Sequence, residues 1–182
     1  MSEVIERYQG LAEQFGARVE ATPDDKWTAQ APCDEWQARD VVGHVVDSQR
    51  RMVASINGGE PTQFGADEQP AEAWRTSYAA VKEALAKPGA LEAEIQSPMG
   101  PMSLENMIGR LLSLDILVHT WDLARAVGGD EQLDQDAVAS GYEGIKPLDA
   151  MLRRPGAFGD KIEPPAGADL QTEFLCFLGR RV

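Results

Sequence analysis

The stretch Ser113–Gly129, SLDILVHTWDLARAVGG, carries two carboxylates and an imidazole on a segment otherwise built for burial. Its apolar residues recur every three or four positions, the period of an amphipathic helix, and a glycine pair closes it. Asp115 and His119 stand four apart, so their side chains stack on one helix face. A buried carboxylate without a partner would protonate or destabilise the fold. A divalent cation is one partner that resolves the conflict. Two ligands at i and i+4, completed by a third from a neighbouring helix, are a recurrent way to build a metal site inside a bundle.

The chain has only two histidines, which narrows the search for the third ligand. His44 lies within QARDVVGHVVDSQRRMVASI, an apolar segment that must face a core. If the two segments are neighbours, His44, Asp115 and His119 converge as two imidazoles and one carboxylate. Zinc prefers such ligands, and nickel and iron also accept them. Three protein ligands leave a position open, the mark of a catalytic rather than a structural site. Around this trio stand weaker candidates. Asp122, one turn beyond His119, would either orient that ring or pair with a neighbour such as Arg125. Arg125 would bind the carboxylate of a ligand or form a surface salt bridge. Ser48 and Trp121 are candidates for a pocket wall, with core packing the plainer role for Trp121 and for Trp36. Cys33 stands either near the mouth of the site or buried as a small apolar residue.

These residues need helices to hold them. Val4, Tyr8, Leu11 and Phe15 predict a helix over residues 3–20. A second runs from about 37 to 56 and stops at Asn57-Gly58-Gly59. Trp74, Tyr78, Val81 and Leu85 mark a third, ending before Pro88-Gly89. IQSPMGPM reads as a short loop or hairpin. Ser103 is the expected N-cap of a long fourth helix reaching Val127, with Leu111 and Asp115 on one stripe. Asp134 would cap a fifth helix through Val138, Tyr142, Ile145 and Leu152, weakened or kinked by Gly141, Gly144 and Pro147. Asp169 would cap a last short helix ending at Gly179. The expected fold is all-α, one domain over residues 1–182: a four-helix bundle with additional short C-terminal helices.

Composition excludes several functions. The net charge of −13 argues against nucleic acid and anionic membranes as partners. No apolar run is long enough to cross a bilayer. The N-terminus MSEVIERYQG lacks the features of a signal peptide, so a cytoplasmic location is expected. Cys33 and Cys176 are too few for a disulfide framework. Gly128-Gly129 is a helix stop and not a phosphate loop, since no helix opens on it.

The strings APCDEWQARDVVGHVV, LLSLDILVHTWDLARAVGGD and PPAGADLQTEFLCFLGR resemble the actinobacterial DinB-like metal-binding proteins. That group includes the metal-binding domain of mycothiol-dependent maleylpyruvate isomerase. The resemblance covers nearly the whole chain. It implies a DinB-like bundle of four core helices, with metal ligands at His44, Asp115 and His119. It also implies mycothiol as the thiol and attack on an electrophilic small molecule as the chemistry. The family's isomerase is similar in using Glu where this chain has Asp115, and it has a further C-terminal domain that this chain is expected to lack. Gln37 stands where similar proteins often carry Thr or Ser, so a weaker cap is expected on the second helix.

The leading expectation is therefore a metal-dependent enzyme using a low-molecular-weight thiol, a transferase or an isomerase. A bound thiol would lose its proton to the ion, whereas a free one, with pKa near ~8.5, stays mostly protonated at neutral pH. Other classes remain open. A metal-bound hydroxide would make a hydrolase, though Val118 and Thr120 around His119 leave no H-E-x-x-H base. Two histidines and a carboxylate also match non-haem iron sites. A metal-binding bundle without catalysis, and a homodimer, are further alternatives. Substrate specificity is expected in loops such as Gln63–Pro70 and in the C-terminal segment.

Overall fold

A computed structural model describes residues 2–33, 35–97, 100–153 and 158–182. Helix α1 spans Glu3–Ala21 and buries Ile5, Tyr8, Ala12, Phe15 and Val19, one stripe at three- and four-residue spacing. Helix α2 spans Ala38–Asn57 and buries Val41, Val42, Val45, Val46, Gln49 and Met52. The Asp40 carboxylate accepts a hydrogen bond from the Gln37 N–H (2.8 Å), so its entry is closed by an acid in the first turn. This corrects the expectation of a weak cap at Gln37. Helix α3, Pro70–Leu85, starts with proline in its first turn, where the missing N–H costs nothing.

Two contacts show why the helices close up. Phe15 meets the Trp74 ring edge-on at a centroid distance of 4.9 Å. A Cβ on Gly16 would fall 2.7 Å from Trp74 Nε1, so the absence of a side chain there lets α1 and α3 approach. α1 borders α3 and α5, and α2 borders the same two helices. The four form a closed bundle.

The strands β1 (Glu94–Ser97) and β2 (Gly100–Ser103) form an antiparallel hairpin, pairing Glu94 with Ser103 and Ser97 with Gly100. It is the one sheet among the described residues. The long helix after the hairpin starts where expected, with Ser103 Oγ accepting from the Asn106 N–H. It is not regular. Between α4 (Leu104–Met107) and α5 (Ser113–Val127) lies a π-helical turn, Ile108–Leu112. Such single turns insert one residue and re-aim the side chains beyond them. Helix α5 is buried on nearly every side, from Ile116 to Ala124, rather than along one stripe. It ends at Gly128, left-handed at φ 73°.

The outer side of α5 is covered by the C-terminal part of the chain. Helix α6 spans Gln135–Ile145, capped by Asp134 Oδ1 on the Ala137 N–H. A 3-10 turn at Lys146–Leu148, holding Pro147, separates it from α7 (Asp149–Leu152), which is the kink the glycines and proline foretold. Helix α8 spans Leu170–Phe177, capped by Asp169, and stops before Gly179 (φ 81°). A Cβ at Gly179 would lie 2.8 Å from the Asp160 carbonyl oxygen, so this glycine lets the two segments pack together. Among the described residues no helix is long and apolar enough to cross a membrane.

Candidate metal centre

His44, on α2, and Asp115 and His119, on α5, face one another across the α2–α5 contact. His44 Nε2 is 3.2 Å from Asp115 Oδ1, and His119 Nε2 is 3.5 Å from the same oxygen. The two imidazole rings meet edge-on, centroids 4.8 Å apart. The Trp36 ring, just before α2, packs against both, at 5.2 Å from His44 and 5.7 Å from His119. Both metal-type nitrogens are therefore turned to one carboxylate and walled on one side by an indole.

The donor set suits a divalent cation. Bonds of ~2.0–2.2 Å at tetrahedral angles put neighbouring ligand atoms about 3.4 Å apart. The separations of 3.2 and 3.5 Å sit at that value, and the longer exceeds a normal N–H···O bond. The ligand-type atoms of all three residues lie within 4.8 Å of one another, a spacing compatible with one divalent cation. A second group with matching spacing, Cys33, His119 and Asp122, is different. The Arg180 guanidinium lies 2.8 Å from Asp122 Oδ2 and 3.4 Å from Cys33 Sγ. That fixed positive charge already answers the carboxylate and opposes a cation there.

Behind His119 runs a buried chain of polar contacts. His119 Nδ1 donates to Asp122 Oδ2 at 3.0 Å. Arg180 grips Asp122 with Nη2 on Oδ2 (2.8 Å) and Nε on Oδ1 (3.2 Å). The Cys33 thiol also donates to Asp122 Oδ2, at 3.3 Å. Asp122 is fully buried. With Nδ1–H committed to this carboxylate, Nε2 is the nitrogen left to face Asp115.

The electrostatics arise from these contacts. Burial alone would raise Asp115, but His119 and His44 outweigh it and hold its carboxyl far below the ordinary range. Burial alone would lower His119, but Asp115 and Asp122 outweigh it and raise the imidazole to about 9. Burial would raise Asp122, yet the hydrogen bonds from His119 and Arg180 bring it down to about 2. Burial, and then the Asp122 charge, push the Cys33 thiol up to about 12 against the opposing pull of Arg180. Cys33 stays protonated and is not a nucleophile at neutral pH.

A large open cavity of about 1980 Å³ begins at this cluster. His44, Asp115 and His119 line it, as do Ser48, Arg125, Cys33 and Trp36. Ser48 Oγ accepts from Arg51 Nη2 (2.9 Å). The π turn widens the helix here, so that Arg110, Leu111, Leu112, Leu114 and Asp115 all reach the cavity wall. Leu111 is thus half-buried wall rather than core.

Several expectations are corrected. Trp121 is fully buried and does not line the cavity. Arg125 does not pair with Asp122. It bridges to Glu131 (3.1 Å) and covers the Trp121 ring at 4.9 Å. The partner of Asp122 is Arg180, 58 positions away. The loop Gln63–Pro70 does not reach the cavity. Instead Asp47 accepts the Phe64 N–H, and Arg50 pairs with Glu68 (2.6 Å), strapping the loop to α2. The C-terminal segment does line the cavity, through Phe158–Ile162 and Leu178–Arg181. Arg180 and Cys33 were missed as partners of Asp122. The signal was an arginine directly after a helix-stopping glycine in FLCFLGRR, at the end of a strongly apolar run.

A four-helix bundle with an imidazole–carboxylate cluster between two of its helices defines the class of protein. The sequence profile of the mycothiol maleylpyruvate isomerase N-terminal domain matches residues 8–124, and the chain belongs to that family. Two uncharacterized proteins of Mycobacterium tuberculosis, from strains H37Rv and CDC 1551, are each 30% identical over 178 residues, 96% of both chains. Among solved structures, a histidine-to-alanine mutant of the mycothiol-dependent maleylpyruvate isomerase superposes with a TM-score of 0.63 at 11% identity. It covers 85% of this chain and 75% of that one. The unmutated isomerase gives 0.59 at 12% identity, covering 84% and 70%. At these identities the likeness is one of fold.

Proposed function

We propose that this chain is a single-domain, divalent-metal-dependent enzyme that activates a low-molecular-weight thiol for attack on an electrophilic small molecule, as a transferase or isomerase. The observation that carries it is the trio of His44 Nε2, His119 Nε2 and Asp115 Oδ1 at ligand-like spacing on the wall of an open cavity. Zinc suits two neutral imidazoles and one carboxylate. A bound divalent cation would supply one thing, a thiol proton lost at neutral pH. The chain's residues supply the rest. His44 and His119 contribute neutral nitrogens, and Asp115 the single negative charge. Asp122 fixes the His119 ring through Nδ1–H, and Arg180 holds Asp122 in place. Trp36 shields the rings from water on one face.

Cys33, the cysteine that lines the cavity, is held as a neutral thiol. The reading therefore takes the nucleophile from outside the chain. The family and the isomerase fold support mycothiol as that thiol. The cavity, at about 1980 Å³, exceeds the ~300–1000 Å³ of an ordinary ligand site and has room for a thiol and an electrophile together. The test is turnover by tag-free, zinc-loaded protein with mycothiol against unsaturated carbonyls, epoxides and alkyl halides. Thiol consumption that needs both metal and His44 is expected. Thiol consumption unchanged in His44→Ala, or none across the panel with zinc bound, would overturn the proposal.

A further inference from the structure

The two histidines of the cluster are held in different ways. The His119 side chain is 8% exposed, and its Nδ1 donates to the buried Asp122 carboxylate at 3.0 Å. The His44 side chain is 33% exposed and makes one hydrogen bond, through Nε2 to Asp115 at 3.2 Å. Among the described residues no group bonds its Nδ1. A metal-ligating imidazole is ordinarily aligned by an acceptor on its far nitrogen, and losing that acceptor weakens metal binding about 10–100-fold. A single bond through Nε2 leaves a ring free to turn about it. What meets the His44 ring instead is Trp36. Their centroids stand 5.2 Å apart with the planes at 43°, and the same indole stacks at 26° on His119. Aromatic pairs favour such offset and tilted contacts at these distances.

Trp36 is itself fixed by its loop. Its N–H donates to the Cys33 carbonyl (3.2 Å), and its own carbonyl accepts from the Ala31 N–H (2.9 Å) and from Gln30 Nε2 (2.9 Å). Gln30 and Gln37 pair as an isolated antiparallel bridge, and the Ala38 N–H reaches the Ala29 carbonyl (2.8 Å), so the first residue of α2 closes the loop at its base. Glu35, at φ 67°, is the one non-glycine with a left-handed backbone among the described residues. That conformation persists only where the surroundings over-determine it. The Cys33 thiol ties the loop to Asp122 on α5 (3.3 Å). One loop therefore reaches both imidazoles, His119 through Cys33 and Asp122, and His44 through the indole.

We propose that Trp36 is the positioning residue for His44: its loop-anchored ring takes the place of the missing Nδ1 acceptor and keeps Nε2 turned to Asp115. This deepens the thiol-enzyme reading and rests on it for the metal, but not for the positioning itself. The chain has two histidines, so ring order can be followed at each separately. It is measured first without metal, by carbon relaxation of histidine-labelled protein. In Trp36→Ala the His44 ring is expected to become mobile while the His119 ring stays rigid. Trp36→Phe, which keeps a flat ring, is expected to restore His44. Should Trp36→Ala not fold, Trp36→Leu, apolar without a flat ring, carries the same measurement. Zinc affinity, read by chelator competition, is expected to fall about tenfold in Trp36→Ala and to recover to within about threefold of wild type in Trp36→Phe. In a His44→Ala background, Trp36→Ala is expected to cost nothing further, because its effect runs through His44. A His44 ring as rigid without the indole as with it overturns the proposal. So does an equal affinity loss in the His44→Ala background, which marks a merely structural role. A wild-type chain that binds no zinc, with His44 still freed by Trp36→Ala, sinks the metal-enzyme reading and upholds the positioning.

Discussion

Replacing Asp122 with alanine removes the buried anion that three donors share. His119 Nδ1, the Arg180 guanidinium and the Cys33 thiol all donate to it, and it is fully buried. The Arg180 side chain is 11% exposed, so its charge would be left largely desolvated and unpaired. Stranding one partner of a buried ion pair costs ~3–5 kcal/mol. Because Arg180 borders the cavity, where water reaches it, the lower end applies, about 3 kcal/mol. For a chain of 182 residues that lowers Tm by about 6–12 °C. Urea unfolding of the metal-free protein at pH 7 reads this directly. Asp122→Ala/Arg180→Met, which removes the stranded charge too, is expected to recover at least half of the loss. Zinc affinity is expected to fall about 10–100-fold in both variants, because the ring is no longer held. A stability loss under about 1 kcal/mol in the single variant, the median worth of an exposed pair, would refute the reasoning. So would a double variant no more stable than the single.

The same geometry makes three further outcomes testable. With His119 raised from 6.5 to about 9, zinc must displace a proton. Apparent zinc affinity should climb with pH and flatten above about 9, while the part of the metal-free stability that His119 contributes, fully present below 6.5, is lost as pH rises through 9. An affinity flat from about pH 6 to 9 would contradict this. The Cys33 thiol, at about 12, should alkylate with iodoacetamide at pH 8 roughly a thousandfold more slowly than an ordinary cysteine. Mass spectrometry of native against urea-unfolded protein checks it, and rapid native labelling would oppose it. Gly43→Ala would put a Cβ 2.5 Å from Phe64 Cδ1. A loss of about 1–3 kcal/mol in urea unfolding is expected, because the Phe64 ring must move off α2 to admit the methyl group.

The helices were legible because their signals are local. Ser103, Asp134 and Asp169 each cap the helix they were expected to cap, and Gly128 and Gly179 both take the left-handed conformation at a helix end. The trio at His44, Asp115 and His119 could be anticipated because i, i+4 spacing is local and the chain has only one other histidine. What escaped was non-local or irregular. The π turn at Ile108–Leu112 leaves no mark in periodicity, since one inserted residue shifts the phase without breaking the helix. Arg180 reaches Asp122 across 58 positions, and no spacing rule could prefer it to the nearby Arg125. Gln63–Pro70 reads as a free polar loop, yet Arg39, Asp47 and Arg50 on α2 tie it down. Trp121 is the plainer candidate for the core, with a pocket wall as the alternative. The covering of α5 on its outer side by the C-terminal helices decides for the core.

In the proposed function, His44, Asp115 and His119 hold one ion between two helices. An equilibrium zinc titration of tag-free protein at pH 8, against a chromophoric chelator, tests it most directly. One zinc per chain is expected, with affinity lowered at least about 100-fold in each of His44→Ala, Asp115→Ala and His119→Ala, since each removes a ligand outright. No binding by the wild-type chain, or wild-type affinity in all three variants, would contradict it.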